Sequence, residues 1–267
     1  MEPTAVRSEP LQSQADAAGR RLLALLRDVL LAFLFPDSCV ACAAPLPADR
    51  RHLCASCGSE LFARAGSLAM SEPSGPREDA SAHARVFYAF EFGGAARAVI
   101  HALKYVGRTS IAGDLARLAA PVALSACVTP PDVVVPVPLH PVRFRERGFN
   151  QSELLAVHLA ASLGAPAQRA LLRTRHAPPQ ARLPRRQRLA IAPGTFRVAE
   201  GITRPGRVLL IDDVATTGAT LAAASLELLN AGAEQVVCFA LAGTPPRDRA
   251  GRAGVTGRAY GNGVESG

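Results

Sequence analysis

The chain has 267 residues and a formal charge of +8, which allows one full core plus a small accessory domain and favours polyanionic partners. Aromatic residues are only 5% and tryptophan is absent, which argues against an extended base-stacking surface. Lys104 is the only lysine among the basic residues, marking a place where an ammonium rather than a guanidinium is wanted.

Residues 1–19 lack apolar periodicity and read as a disordered N-terminus. Residues 20–36 read as an amphipathic helix. Their apolar stretch, Leu22 to Phe35, is interrupted by Arg27 and Asp28, so it is neither a membrane span of roughly 20 apolar residues nor a signal-peptide core. Residues 37–62 carry Cys39-x-x-Cys42 and, after eleven residues, Cys54-x-x-Cys57. Two such hooks supply four thiolates to one tetrahedral Zn²⁺ and leave no open position, so Cys39, Cys42, Cys54 and Cys57 read as a structural zinc knuckle. A disulfide reading would need an oxidising compartment. Cys238 sits in a strand-like run from Gln235 to Leu241 and reads as a small buried hydrophobe.

Residues 63–83 are rich in Pro, Ser and Gly and read as a linker to the main domain, 84–246. There, Val86 to Phe92 reads as a strand and Ala95 to Lys104 as a helix closed by Lys104 and Tyr105. Asp132 to Val137 reads as a buried strand ending in Pro138-Leu139-His140. Arg143, Arg145 and Arg147 then make a cationic loop, and Gly148-Phe149-Asn150-Gln151 leads into a helix through about Leu163. Asn150 is its cap, Glu153 stands in the capping-box position and Gly164 ends it. Arg173 to Arg188 holds six arginines, three prolines and no acid, and reads as a mobile loop over the site. Residues 247–267 read as a flexible tail.

The richest segment comes last. Val208, Leu209, Leu210 and Ile211 form an unbroken apolar run, as a strand covered on both faces requires, and open α/β sheets bind ligands at the carboxyl ends of such strands. Asp212 and Asp213 emerge there, followed by Val214, Ala215, Thr216, Thr217, Gly218, Ala219 and Thr220 and a helix to Asn230. The loop offers amides and hydroxyls to an anion, and the carboxylates accept from a neutral diol; a ribose 5-phosphate has both ends. A receiver-type magnesium pocket also follows a hydrophobic strand, but lacks Thr-Thr-Gly-x-Thr behind its acids. The arginines and Lys104 suit a pyrophosphate, although any single arginine also fits a solvated basic face.

The acids with Thr-Thr-Gly-x-Thr resemble the phosphoribosyl pyrophosphate (PRPP) loop of type I phosphoribosyltransferases. With the cysteine knuckle, Leu103-Lys-Tyr-Val-Gly-Arg108, Val135-Pro-Val-Pro-Leu-His140, Arg147-Gly-Phe-Asn-Gln151, Thr174 with Gln180, and Arg185-Arg-Gln-Arg188, the chain from Phe35 to Thr244 resembles the ComF family of competence-associated proteins. One departure is Ile191, where the family tends to have Asn before Gly-x-Phe. The resemblance implies an α/β type I phosphoribosyltransferase fold, a cytoplasmic location and a link to DNA uptake. It implies a transferase that binds PRPP with Mg²⁺ and passes ribose 5-phosphate to an acceptor, with Asp212, Asp213, Lys104 and Arg147 at the reaction centre. Residues 214–220 would hold the 5′-phosphate; His140, Arg143, Arg145, Asn150 and Gln151, with Gln180, Arg185 and Arg188 of the mobile loop, would face the pyrophosphate. The other reading is a non-catalytic binder of nucleotide or single-stranded DNA, acting beside DNA-uptake proteins.

Overall fold

A computed structural model of the chain describes residues 37–47, 49–62, 66–69, 85–174, 192, 194–202 and 205–245. The expected disordered N-terminus, the helix at 20–36, most of the linker, the arginine-rich segment beyond Thr174 with Gln180, Arg185 and Arg188, and the tail lie outside the described residues. The chain divides into a small unit, residues 1–39 with 43–54, and a body, 40–42 with 55–267. In the small unit Ser38 bridges Pro45, and a tight turn is closed by Cys39 N donating to Ala44 O at 2.7 Å and Ala43 N to Cys39 O at 2.8 Å.

The body runs α1 (Ala55–Phe62), β1 (Gly66–Ala69), β2 (Arg85–Glu91), α2 (Gly94–Tyr105), α3 (Ile111–Ala126), β3 (Val133–Pro136), α4 (Pro141–Arg147), α5 (Gln151–Leu163), β4 (Leu171–Arg173), β5 (Phe196–Val198), β6 (Arg207–Ala215), α6 (Ala219–Asn230) and β7 (Gln235–Gly243). It is an α/β fold: a five-stranded sheet in the order β1-β2-β7-β6-β3, parallel except at the β1–β2 pair, with β4 and β5 forming a separate antiparallel pair. The register aligns Ile211 with both Pro136 and Phe239, and Asp212 with Ala240. Helices α3 and α5 pack together, α5 also on β3 and β6, while α6 packs on β5, β6 and β7. Val208, Leu209, Leu210 and Ile211 are all buried, as their unbroken run requires.

Two elements differ from the sequence reading. Gly66–Ala69, inside the expected linker, forms a strand with Gly66 opposite Tyr88. Gly66, Ser67 and Ala69 have little strand propensity of their own, so the open edge of β2 decides its conformation. The expected cationic loop contains α4, which starts with Pro141 in its first turn and with His140 Nδ1 accepting from Val142 N at 3.2 Å.

Two caps fix the helices that reach the site. Asn150 Oδ1 accepts from Ser152 N at 3.1 Å, and Gly164 closes α5. Glu153 does not complete a capping box; its Oε1 accepts from Arg169 Nε at 2.7 Å instead. At the start of α2, Glu60 Oε1 accepts from Ala95 N at 3.1 Å, and Gly94 makes this possible: its φ is +38°, and a Cβ there would stand 1.9 Å from that oxygen. No helix among the described residues is long and apolar enough to cross a membrane.

Candidate functional site: a carboxylate and arginine cavity

Strand β6 does not stop before the acids; it continues through them to Ala215, with Val214 paired to Ala242 and Ala215 to Gly243. Val214 and Ala215 are therefore ladder residues, and the turn shrinks to Thr216, Thr217 and Gly218. Successive residues of a strand face opposite ways. Asp213 shares the face of Leu209 and Ile211 and meets Lys104, whose Nζ lies 2.6 Å from Asp213 Oδ2. Asp212 shares the face of Val208 and Leu210, and its Oδ1 accepts from Ser152 Oγ at 2.9 Å and from Asp213 N at 2.8 Å. Burial, then repulsion from Asp213, pushes the Asp212 carboxyl up to about 7, against the opposing pull of the Asp213 amide, Lys104 and Ser152.

A cavity of about 290 Å³ opens over these carboxylates. Asp212, Asp213, Lys104, Arg143, Arg147, His140, Gln151 and Thr220 line it. Arg143 and Arg147 stand four residues apart on α4 and so share one face, whereas Arg145 lies between them and lines a separate, apolar groove beside Phe144. Arg145 is thus not at the cavity, contrary to its expected place at the pyrophosphate. Asn150 is buried as a helix cap, with Nδ2 donating to Val137 O at 3.1 Å.

The threonine turn is open rather than covered: Thr216 is exposed, and Thr217 and Thr220 are half-buried. Gly218, at φ +73°, caps α6 in the left-handed region, which a side chain would strain. Thr217 Oγ1 accepts from Ala219 N at 3.4 Å. Of this turn and the first helical residues, Thr220 lines the cavity; Thr216, Thr217, Gly218 and Ala219 do not.

Three polar residues that line the cavity carry no site signal of their own in the sequence: Ser152, Tyr105 and Arg173. Ser152 carried no signal, being one small residue in a helix start. Tyr105 reads as a helix end and as part of the Leu103–Arg108 motif, with no role attached to its side chain. Arg173 was counted with the arginine-rich loop, yet it belongs to β4, where its guanidinium lies 5.4 Å from the Phe196 ring centroid and feels the Asp212 charge.

The four knuckle thiols of Cys39, Cys42, Cys54 and Cys57 lie within 4.8 Å of one another. Four sulfurs at the Zn–S distance of about 2.3 Å stand about 3.8 Å apart, so the cluster fits one tetrahedral ion. Cys238, by contrast, is buried and its thiol is pushed up to about 12 by that burial, as expected of a core residue.

No family model matches the chain. Among curated proteins it is 36% identical over 154 residues to the DNA utilization protein YhgH of Salmonella typhi, covering 55% of this chain and 66% of that protein. It is 34% identical over 115 residues to Competence protein F of Haemophilus influenzae (42% and 50%), and 39% identical over 110 residues to Competence protein ComFC of Streptococcus pneumoniae (40% and 46%). The chain is a ComF-family homologue. Its match to these relatives spans no more than 66% of their length.

Similar solved structures include a glutamine PRPP amidotransferase from B. subtilis, at 24% identity, TM-score 0.32 and coverage of 48% of this chain and 25% of that one. An adenine phosphoribosyltransferase from Leishmania tarentolae is 17% identical, with TM-score 0.32 and coverage of 52% and 59%. At these scores the likeness decides nothing about the site, which stands on its own geometry.

Proposed function

We propose that this ComF-family homologue is a phosphoribosyltransferase that binds PRPP in the cavity over Asp212 and Asp213 and passes ribose 5-phosphate to an acceptor. The observation that supports the reading is the convergence of two adjacent carboxylates, Lys104, Arg143 and Arg147 on one cavity, with Thr220 from the first turn of α6 in its wall. Asp212 and Asp213 accept from the ribose diol, and the turn with Thr217 and Thr220 receives the 5′-phosphate. In the reaction the bond from C1 to the pyrophosphate oxygen breaks, pyrophosphate leaves with the electron pair, and a lone pair of the acceptor forms the new bond to C1. Arg143, Arg147 and Lys104 neutralise the departing charge.

The donor set fits Mg²⁺, since adjacent carboxylates and substrate oxygens are the hard ligands this ion takes. Bound with the substrate it would neutralise pyrophosphate charge; Asp212 and Asp213 are the residues that would hold it. The four-thiol cluster is proposed to hold one structural Zn²⁺, and metal analysis returning close to one zinc per chain supports this, while none rejects it. The names of the curated homologues, DNA utilization and competence proteins, support a role in DNA handling, and the proposal takes that role to be a cytoplasmic one.

The test is a screen of bases, amines and oligonucleotides for Mg²⁺-dependent pyrophosphate release, with release expected for at least one acceptor class. DNA affinity that falls steeply with salt and persists after Asp212→Asn with Asp213→Asn, with no pyrophosphate released, would make the protein a binder instead.

A further inference from the structure

Asp213 is 5% exposed, and Lys104 Nζ lies 2.6 Å from its Oδ2. The pair is close but poorly directed: Oδ2 accepts no hydrogen bond from Lys104 or from any other described residue. A buried charge is thus neutralised while its oxygen still lacks a donor. That combination suits a partner that leaves. An ammonium on a flexible stem approaches as a point charge and swings away without breaking the two-pronged grip that a guanidinium makes on a carboxylate. Lys104 is also the only lysine in a chain that otherwise uses arginine for its long basic side chains.

The place of Lys104 says where its charge goes next. It is the last residue but one of α2, its side chain is 19% exposed, and it lines the cavity together with Arg143 and Arg147. The following residue, Tyr105, accepts a hydrogen bond from Arg147 Nη2 at 3.3 Å through its hydroxyl, so the end of α2 is tied to the arginine face of α4. A released ammonium therefore remains in the cavity that the arginines line. The incoming groups decide the release. A ribose hydroxyl donates to the oxygen that Lys104 leaves unsaturated, and a divalent cation at the acids repels the ammonium from it.

We propose that Lys104 is an exchangeable counter-ion, which neutralises Asp213 until Mg²⁺ and the ribose reach the carboxylates and then passes to the pyrophosphate of the same ligand. No covalent bond is made or broken; one charge changes partner. The exchange couples the acidic half of the cavity to its basic half, so that filling one raises the affinity of the other. It deepens the sugar-phosphate reading and rests on it.

A single lysine makes the exchange visible by magnetic resonance, because the full chain grown with lysine isotopically labelled at Cε and Nζ gives one lysine side-chain signal. Asp213→Asn supplies the reference for an ammonium without its carboxylate, and its signal should differ from that of wild type. With Mg²⁺ and PRPP the wild-type signal should leave its first position and settle at a third one, distinct from the reference. Lys104→Met should bind pyrophosphate with Mg²⁺ about 10- to 100-fold more weakly than wild type, the range of a charge-assisted hydrogen bond. A lysine signal that stays in place while calorimetry records PRPP binding overturns the exchange and leaves the sugar-phosphate reading standing. So does a wild-type signal equal to that of Asp213→Asn at the outset, a signal that stops at the reference position, or unchanged pyrophosphate affinity in Lys104→Met. No PRPP binding by wild type overturns the sugar-phosphate reading, and the exchange falls with it.

Discussion

Two strand–loop–helix units border the cavity, and they place their charges by different rules. After β6 the chain turns through three residues directly into α6, so its acids are set by the strand itself: the pleat sends Asp213 to Lys104 and Asp212 to Ser152. After β3 a further helix, α4, intervenes before α5, and helical spacing decides which arginines arrive. Arg143 and Arg147 do; Arg145 does not. Charge placed by a strand is legible from one residue to the next, whereas charge placed by a short helix depends on a phase that the cationic composition hides.

That contrast can be tested at graded cost. The largest effect expected is on the frame of the acid unit: Leu209→Ala removes a fully buried side chain from the middle of β6 and should destabilise the fold by about 2–5 kcal/mol in denaturant unfolding. A loss below about 1 kcal/mol would mean that β6 is less central than its burial implies. Within the basic unit, Arg147→Ala should weaken pyrophosphate binding about 10- to 100-fold, as expected of a charge-assisted hydrogen bond, while Arg145→Ala should change it less than about 2-fold. Equal losses from both would erase the helical-phase argument. Gly218→Ala forces a side chain into the left-handed cap of α6 and should cost roughly 1–2 kcal/mol of stability, measurable as a lowered Tm.

The smallest effect is a shift in pH. Because Asp212 is pushed up to about 7, sugar-phosphate affinity should rise as pH increases through that value and the carboxylate forms. Ser152→Ala, which removes a hydrogen bond to the ionised form, should move the midpoint to higher pH. Stability runs the other way: a carboxyl whose folded value is raised contributes stability below its unfolded value near 4, and that contribution is lost as pH rises through about 7. Asp212→Asn should therefore raise Tm at pH 8 more than at pH 5, and no pH dependence in that difference would contradict the burial argument.

How much of this was readable beforehand follows the same division. The unbroken run in β6, the Asn150 cap and the Cys-x-x-Cys pairs are local signals, and the structure answers each locally. What sequence missed is set by tertiary partners. Gly66–Ala69 becomes a strand because β2 lends it an edge, Glu153 turns from its own helix to Arg169, and Tyr105 and Arg173 gain their place only when helix and strand ends meet at the cavity. Val214 and Ala215 were read as loop because two acids look like the end of a strand; pairing with Ala242 and Gly243 carries β6 past them.

The central claim is that the paired carboxylates hold a pentose phosphate. Calorimetric titration of PRPP with Mg²⁺ into wild type and into Asp212→Asn with Asp213→Asn, both verified as folded by circular dichroism, tests it most directly. Binding by wild type and its loss in the double variant is the predicted result; equal affinity in the two proteins, or no binding by either, would contradict it.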